Sequence, residues 1–99
     1  MDLVEKNINQ LKVLCATHHV ETLHLFGSAT TKKFSINSDI DLLVKFKPFD
    51  IGAYFINYTL FKEKLNGLFH RKIDLIEEQT LTNPILIKSI NKSKELIYG

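Results

Sequence analysis

Ninety-nine residues carry 13 Lys and Arg against 11 Asp and Glu, a net charge of +2, and so weak a field argues against a nucleic acid or a membrane surface as partner. The apolar share is 44%, with seven Phe and three Tyr, which excludes disorder and implies one core, read as a single domain over 1–99. A lone cysteine, Cys15, excludes an internal disulfide, and neither a secretory leader in MDLVEKNINQ nor an apolar stretch of membrane length is present; the expectation is a soluble, cytoplasmic protein.

From Asp2 to about His18, Val4, Ile8, Leu11 and Cys15 recur at helical spacing, which predicts an amphipathic helix. ETLHLFG alternates and ends at glycine, so it reads as a short strand. The pair Gly27-Ser28 then opens a turn, and Lys33 to Ser38 reads as loop. A second strand is expected from Asp39 to Phe46, with Ile40, Leu42, Val44 and Phe46 on one face and Asp39, Asp41, Leu43 and Lys45 on the other. After Pro48, the residues Ile51, Tyr54, Phe55, Tyr58, Phe61, Leu65 and Leu68 mark a long helix with a wide apolar stripe. Asn66-Gly67 is its expected stop, and the stripe is expected to be core with part left for a partner. KIDLIEE predicts a third strand, and Asn83-Pro84 carries the chemistry of a helix start, with the helix running from Ile85 to about Asn91. The tail ELIYG is either an edge strand or simple packing. Interleaved strands and helices predict an α+β fold: a sheet of three to four strands flanked by helices.

The acids stand out against this background. Residues i and i+2 of a strand share a face, so Asp39 and Asp41 project together, with Cα atoms about 6–7 Å apart. Paired carboxylates repel unless a cation lies between them, and Mg²⁺ suits two carboxylates completed by phosphate oxygens and water. Asp74, between Ile73 and Leu75, faces away from the core and would join the pair if the two strands are neighbours. Three carboxylates on one sheet face suit two-metal phosphoryl or nucleotidyl transfer. Gly27 at a strand end lets a phosphate approach the backbone, and the following N–H groups with Ser28 can donate to it. The spacings of the Walker and dinucleotide-binding loops are absent.

Gly27-Ser28, ten residues, Asp39-Ile40-Asp41, and then Asp74 on a further strand resemble the nucleotidyltransferase superfamily of DNA polymerase β type. LFGS, SDIDLLV and KIDLI match its minimal members, the MNT domains, over nearly the whole chain. The resemblance implies that Gly27 and Ser28 hold the β- and γ-phosphates of a nucleoside triphosphate. It implies that Asp39 and Asp41 bind Mg²⁺, and that Asp74 binds the catalytic ion and assists deprotonation of the acceptor hydroxyl. Two Mg²⁺ ions and ATP as substrate follow, and with them an antitoxin role beside a HEPN-type toxin that some members silence by transferring AMP to a tyrosine. Many minimal members continue as GSRARG, whereas this chain reads GSATTKKF. Lys32 or Lys33 could supply the positive charge, without arginine's bidentate fork. The alternative function is an antitoxin that neutralises its partner by complex formation with little or no catalysis. A template-directed polymerase is disfavoured by the lack of a basic groove.

Overall fold

Alternation in three short segments builds the centre of the molecule. The computed structural model describes residues 2–30 and 38–99; the segment 31–37, which includes Lys32, Lys33 and most of the expected loop, lies outside the described residues. The strands are β1 (Val20–Phe26), β2 (Ile40–Phe46), β3 (Ile73–Glu77) and β4 (Glu95–Tyr98). They form one sheet in the order β3-β2-β1-β4, with β2 and β3 parallel and the other pairs antiparallel. The tail is therefore an edge strand, and the expected α+β fold of strands flanked by helices is the one observed.

The predicted first helix is two. In α1 (Asp2–Lys6) and α2 (Ile8–Thr17) the inner face is Val4, Leu11 and Cys15, all buried. Asn7 separates them: its side-chain amide donates to the Leu3 carbonyl at 2.8 Å and its N–H closes on the Val4 carbonyl at 3.1 Å, a tighter turn than the α-helix uses.

The second predicted helix starts later and ends later than its apolar pattern implied. Ile51–Ala53 forms a 3₁₀ turn capped by the Asp50 side chain, and α3 runs Tyr54–Phe69, straight through Asn66-Gly67. It stops at His70, which takes the left-handed conformation at φ 53°. Asn66 is not a cap; its side chain accepts a hydrogen bond of 3.0 Å from the Ile73 N–H and anchors the start of β3. The stripe is also narrower than expected. Phe61, Leu65 and Phe69 are buried and Tyr54 and Tyr58 half-buried, but Phe55 is 75% exposed and Ile51 90%. Tyr58 Oη donates to the Leu75 carbonyl and so ties α3 to the edge strand β3. The last helix, α4 (Pro84–Ser93), starts as its sequence implies. The Asn83 side chain accepts from the N–H groups of Ile85 at 3.0 Å and Leu86 at 3.3 Å, with Pro84 in the first turn.

Two cores result. Helices α1 to α3 seal one face of the sheet over Leu23, Leu25, Ile40, Leu42, Val44, Phe46, Ile73 and Leu75. On the other face Phe26, Leu43 and Ile90 form a small cluster, with Ile76 and Leu81 beside it. Helix α4 supplies Ile90 and thus covers only part of that face. Among the described residues no helix is long and apolar enough to cross a membrane.

Candidate functional site

The part of the second face that α4 does not reach holds the acids. Asp41 is the second residue of β2, and the ladders set it directly opposite Phe26 of β1 and directly opposite Asp74 of β3. Paired residues on neighbouring strands share a face at a strand spacing of roughly 4.8 Å, so two like charges stand side by side, an arrangement that weakens a sheet. Burial is the largest influence on Asp41; with the charges of Asp74 and Asp39, it pushes this carboxyl above the ordinary aspartate range.

Gly27 closes the other side. Its φ is +66°, a conformation that L side chains rarely adopt. A Cβ built there would overlap Asp41 Oδ2 and lie 3.3 Å from its Cγ. The glycine thus serves twice, turning the chain out of β1 and leaving room for the carboxylate. The backbone continues as a 3₁₀ turn over Gly27–Thr30, which carries Ser28, and the Thr30 hydroxyl donates to the Gly27 carbonyl at 2.8 Å.

Asp39 lies just ahead of β2, not inside it, and is exposed. Its partner in space is Lys72, with Nζ 3.9 Å from Asp39 Oδ2. The parallel register explains this contact: Ile40 pairs with Ile73, so the residues preceding each strand also meet. Arg71 is close by, donating from Nη1 to the Ser38 carbonyl at 3.3 Å. The sequence points to positive charge only at Lys32 and Lys33. Lys72 and Arg71 are not legible there because their neighbour in space is set by the ladder; the one signal is that Lys72 precedes Asp74's strand just as Asp39 precedes Asp41's. The structure thus brings Gly27, Asp41 and Asp74 together, with Asp39 at the rim.

Among the described residues no three His, Cys, Asp or Glu side chains form a closed group able to hold a metal ion. The donor set is instead an adjacent carboxylate pair beside a turn. That set suits Mg²⁺, which keeps water and borrows substrate phosphate oxygens in place of an all-protein cage. His24 of β1 lies on this same face, opposite Leu43 and two residues before Phe26. His18 is buried behind α3, with Nδ1 3.2 Å from Asn57 Oδ1 and its carbonyl accepting from Asn57 Nδ2 at 2.8 Å.

Comparison with known proteins gives the family. The family model described as polymerase beta nucleotidyltransferase matches residues 9–99. A Methanocaldococcus jannaschii protein named "Putative protein adenylyltransferase" is 33% identical over 89 residues, covering 88% of this chain and 84% of that protein. Among solved structures, a "putative minimal nucleotidyltransferase" superimposes with a TM-score of 0.77 at 27% identity, covering 96% of this chain and 95% of that one. A toxin–antitoxin structure with AMP-PNP gives 0.71 at 22% identity, with 94% and 73% covered. The complex of a tri-AMPylated Shewanella oneidensis HEPN toxin with its MNT antitoxin gives 0.65 at 19% identity, with 96% and 71% covered. With a match across nearly its whole length, the chain belongs to the polymerase β nucleotidyltransferase family.

Proposed function

We propose that this nucleotidyltransferase transfers AMP from ATP to a hydroxyl of a partner protein in the presence of Mg²⁺, and that the partner is a HEPN-type toxin held silent by the modification. The observation that carries this reading is the direct pairing of Asp41 with Asp74 beside Gly27. Two adjacent carboxylates beside a left-handed glycine turn cost stability and are explained by a cationic, triphosphate-bearing ligand. The named relatives support the reading, since one bears the name protein adenylyltransferase and one structure holds an AMPylated HEPN toxin beside its MNT antitoxin.

In this mechanism the turn starting at Gly27 and Ser28 receives the β- and γ-phosphates, and Lys32 and Lys33 add positive charge to them. Asp39, Asp41 and Asp74 are the residues that would hold Mg²⁺, which when bound neutralises the triphosphate and acidifies the acceptor hydroxyl. Asp74, the more exposed member of the pair, takes the hydroxyl proton. The acceptor oxygen forms its bond to the α-phosphorus as the bond from that phosphorus to the bridging oxygen breaks, and pyrophosphate leaves. Positioning and charge do most of the work, as in phosphoryl transfer generally.

Incubation with labelled ATP, Mg²⁺ and a HEPN-type partner tests this. The wild-type chain is expected to label the partner, with Asp41→Ala and Asp74→Ala each losing at least about a hundredfold, the scale of a lost transition-state electrostatic contact. An unlabelled partner with wild-type chain refutes the transferase reading. A second reading, neutralisation by binding alone, is favoured by the exposed apolar face of α3, where Phe55, Ile56 and Leu60 are 75%, 63% and 43% exposed. It requires that Asp41→Ala still neutralise the partner while Phe55→Asp does not.

A further inference from the structure

The second face of the sheet carries one more feature, next to the acids and not used by them. A cavity of about 280 Å³ lies between β2 and α4, walled by Leu43, Ile87 and Ile90 and edged by Asn91, Glu78 and Lys94. Leu43 is two residues beyond Asp41 on the same face, so the cavity lies about 6–7 Å further along the strand. It also shares Ile90 with the small cluster that bounds the acid site. Apolar walls with a few convergent polar groups are the usual composition of a small-molecule subsite.

The polar groups narrow the occupant. An asparagine amide presents one donor and one acceptor side by side, the pattern that pairs with the amine and ring nitrogen of adenine. The Glu78 carboxylate only accepts, so it favours a ligand that presents N–H groups. The Lys94 ammonium only donates, which suits a ring nitrogen, and aliphatic walls from Leu43, Ile87 and Ile90 suit the faces of a heterocycle. Filling the cavity with a protein segment is disfavoured by its size, which matches a heterocycle and not a helix or strand.

We infer that this cavity is the nucleobase subsite of the transferase, that it takes adenine, and that Asn91 is the residue that selects it. The inference rests on the proposed transfer of a nucleotide. The triphosphate lies over Gly27 and the acids, the ribose spans the step from Asp41 to Leu43, and the base enters under α4. Asn91 is exposed on α4 and is no part of either core, so its replacement alters recognition and leaves the fold intact.

The test is binding of ATP, inosine triphosphate and inorganic tripolyphosphate to the full chain with Mg²⁺, for wild type, Asn91→Leu and Ile87→Trp. ATP is expected to bind wild type about tenfold more tightly than inosine triphosphate, which lacks the exocyclic amine; that ratio corresponds to one good hydrogen-bonded pair. Both variants are expected to lose about tenfold or more for ATP and to keep wild-type affinity for tripolyphosphate, which also reports that the acid site has folded. Equal binding of ATP and inosine triphosphate by wild type, or ATP affinity unchanged in both variants, overturns the inference and leaves the transferase reading standing. Failure of the wild-type chain to bind ATP at all overturns the transferase reading and the base subsite with it.

Discussion

The two faces of the sheet are made by the same strands and differ in almost everything else. On the face under α1 to α3, Leu23, Leu25, Ile40, Leu42, Val44 and Ile73 are buried to within 1% of complete exclusion. On the other face, one residue out of step, the same strands present Phe26, Asp41, Leu43 and Asp74, and among the described residues helix α4 covers part of them. The first face follows the ordinary rule that apolar area removed from water stabilises a fold. The second face departs from it, with two carboxylates in adjacent ladder positions and one of them pushed toward its neutral form. Local departures of this kind mark functional sites, because stability is given up there for a ligand absent from the unliganded state.

That contrast can be broken by mutation. The largest expected effect is on the sealed face: Leu42→Ala should destabilise by about 2–5 kcal/mol, read as the midpoint shift in a urea melt. Leu43→Ala, one residue away, should cost clearly less, since its surroundings already contain a cavity. Equal losses at the two positions would show that the faces are equally well packed and would remove the contrast.

Next comes the junction of the two regions. Gly27→Ala places a Cβ at a positive φ and against the Asp41 carboxylate, so a loss of about 1–3 kcal/mol is expected. Each kcal/mol lowers the melting temperature by roughly 4–8 °C in a domain of this size. An unchanged melting temperature would mean that the turn relaxes away from Asp41.

A smaller effect of opposite sign is expected at Asp41 itself. Its folded-state pKa is raised, so its contribution to stability is fully present below the unfolded aspartate value, about 3.9, and is lost as pH rises through the folded value. Asp41→Asn should therefore stabilise the Mg²⁺-free protein at pH 7 by about 0.2–1 kcal/mol, the range for removing a cross-strand like-charge pair. The gain should vanish below the unfolded value. Urea melts of both proteins across that range check the sign; a variant less stable at pH 7 would mean that the carboxylate is satisfied by partners other than a ligand.

The smallest effect is a null one on the sealed face. Cys15 is fully buried and burial pushes its thiol up to about 12. A thiol reagent at pH 8 should leave it unlabelled until the chain unfolds. Rapid labelling of the native protein would show that α2 opens from the sheet.

Much of this was legible in the residues. Period-two alternation assigned Ile40, Leu42, Val44 and Phe46 to the core and Asp41 and Asp74 to the opposite face, because a pleated strand leaves no other choice. Asn83-Pro84 announced α4 through its own capping chemistry. The helix limits around Asn7 and Asn66-Gly67 were not legible. In both cases an asparagine side chain bonds to a backbone group elsewhere, to Leu3 and to Ile73, and local propensity does not contain such partners. The wide aromatic stripe misled for a related reason: periodicity gives the direction of a side chain, not whether another element reaches it, and nothing among the described residues covers Phe55.

The sequence by itself therefore determined which residues face each way and the family that a Gly-Ser turn followed by Asp-x-Asp implies. Only the tertiary structure decided that β3 lies parallel to β2 in the register that sets Asp74 against Asp41 and Lys72 against Asp39. It alone decided that Gly27 makes room for the Asp41 carboxylate, and that α4 leaves a cavity beside Leu43. The physical reason is the same in each case. Facing is a property of one strand and its two-residue period, whereas adjacency depends on the long crossover through α3 and on where separate helices come to rest, which is fixed by packing across the whole core.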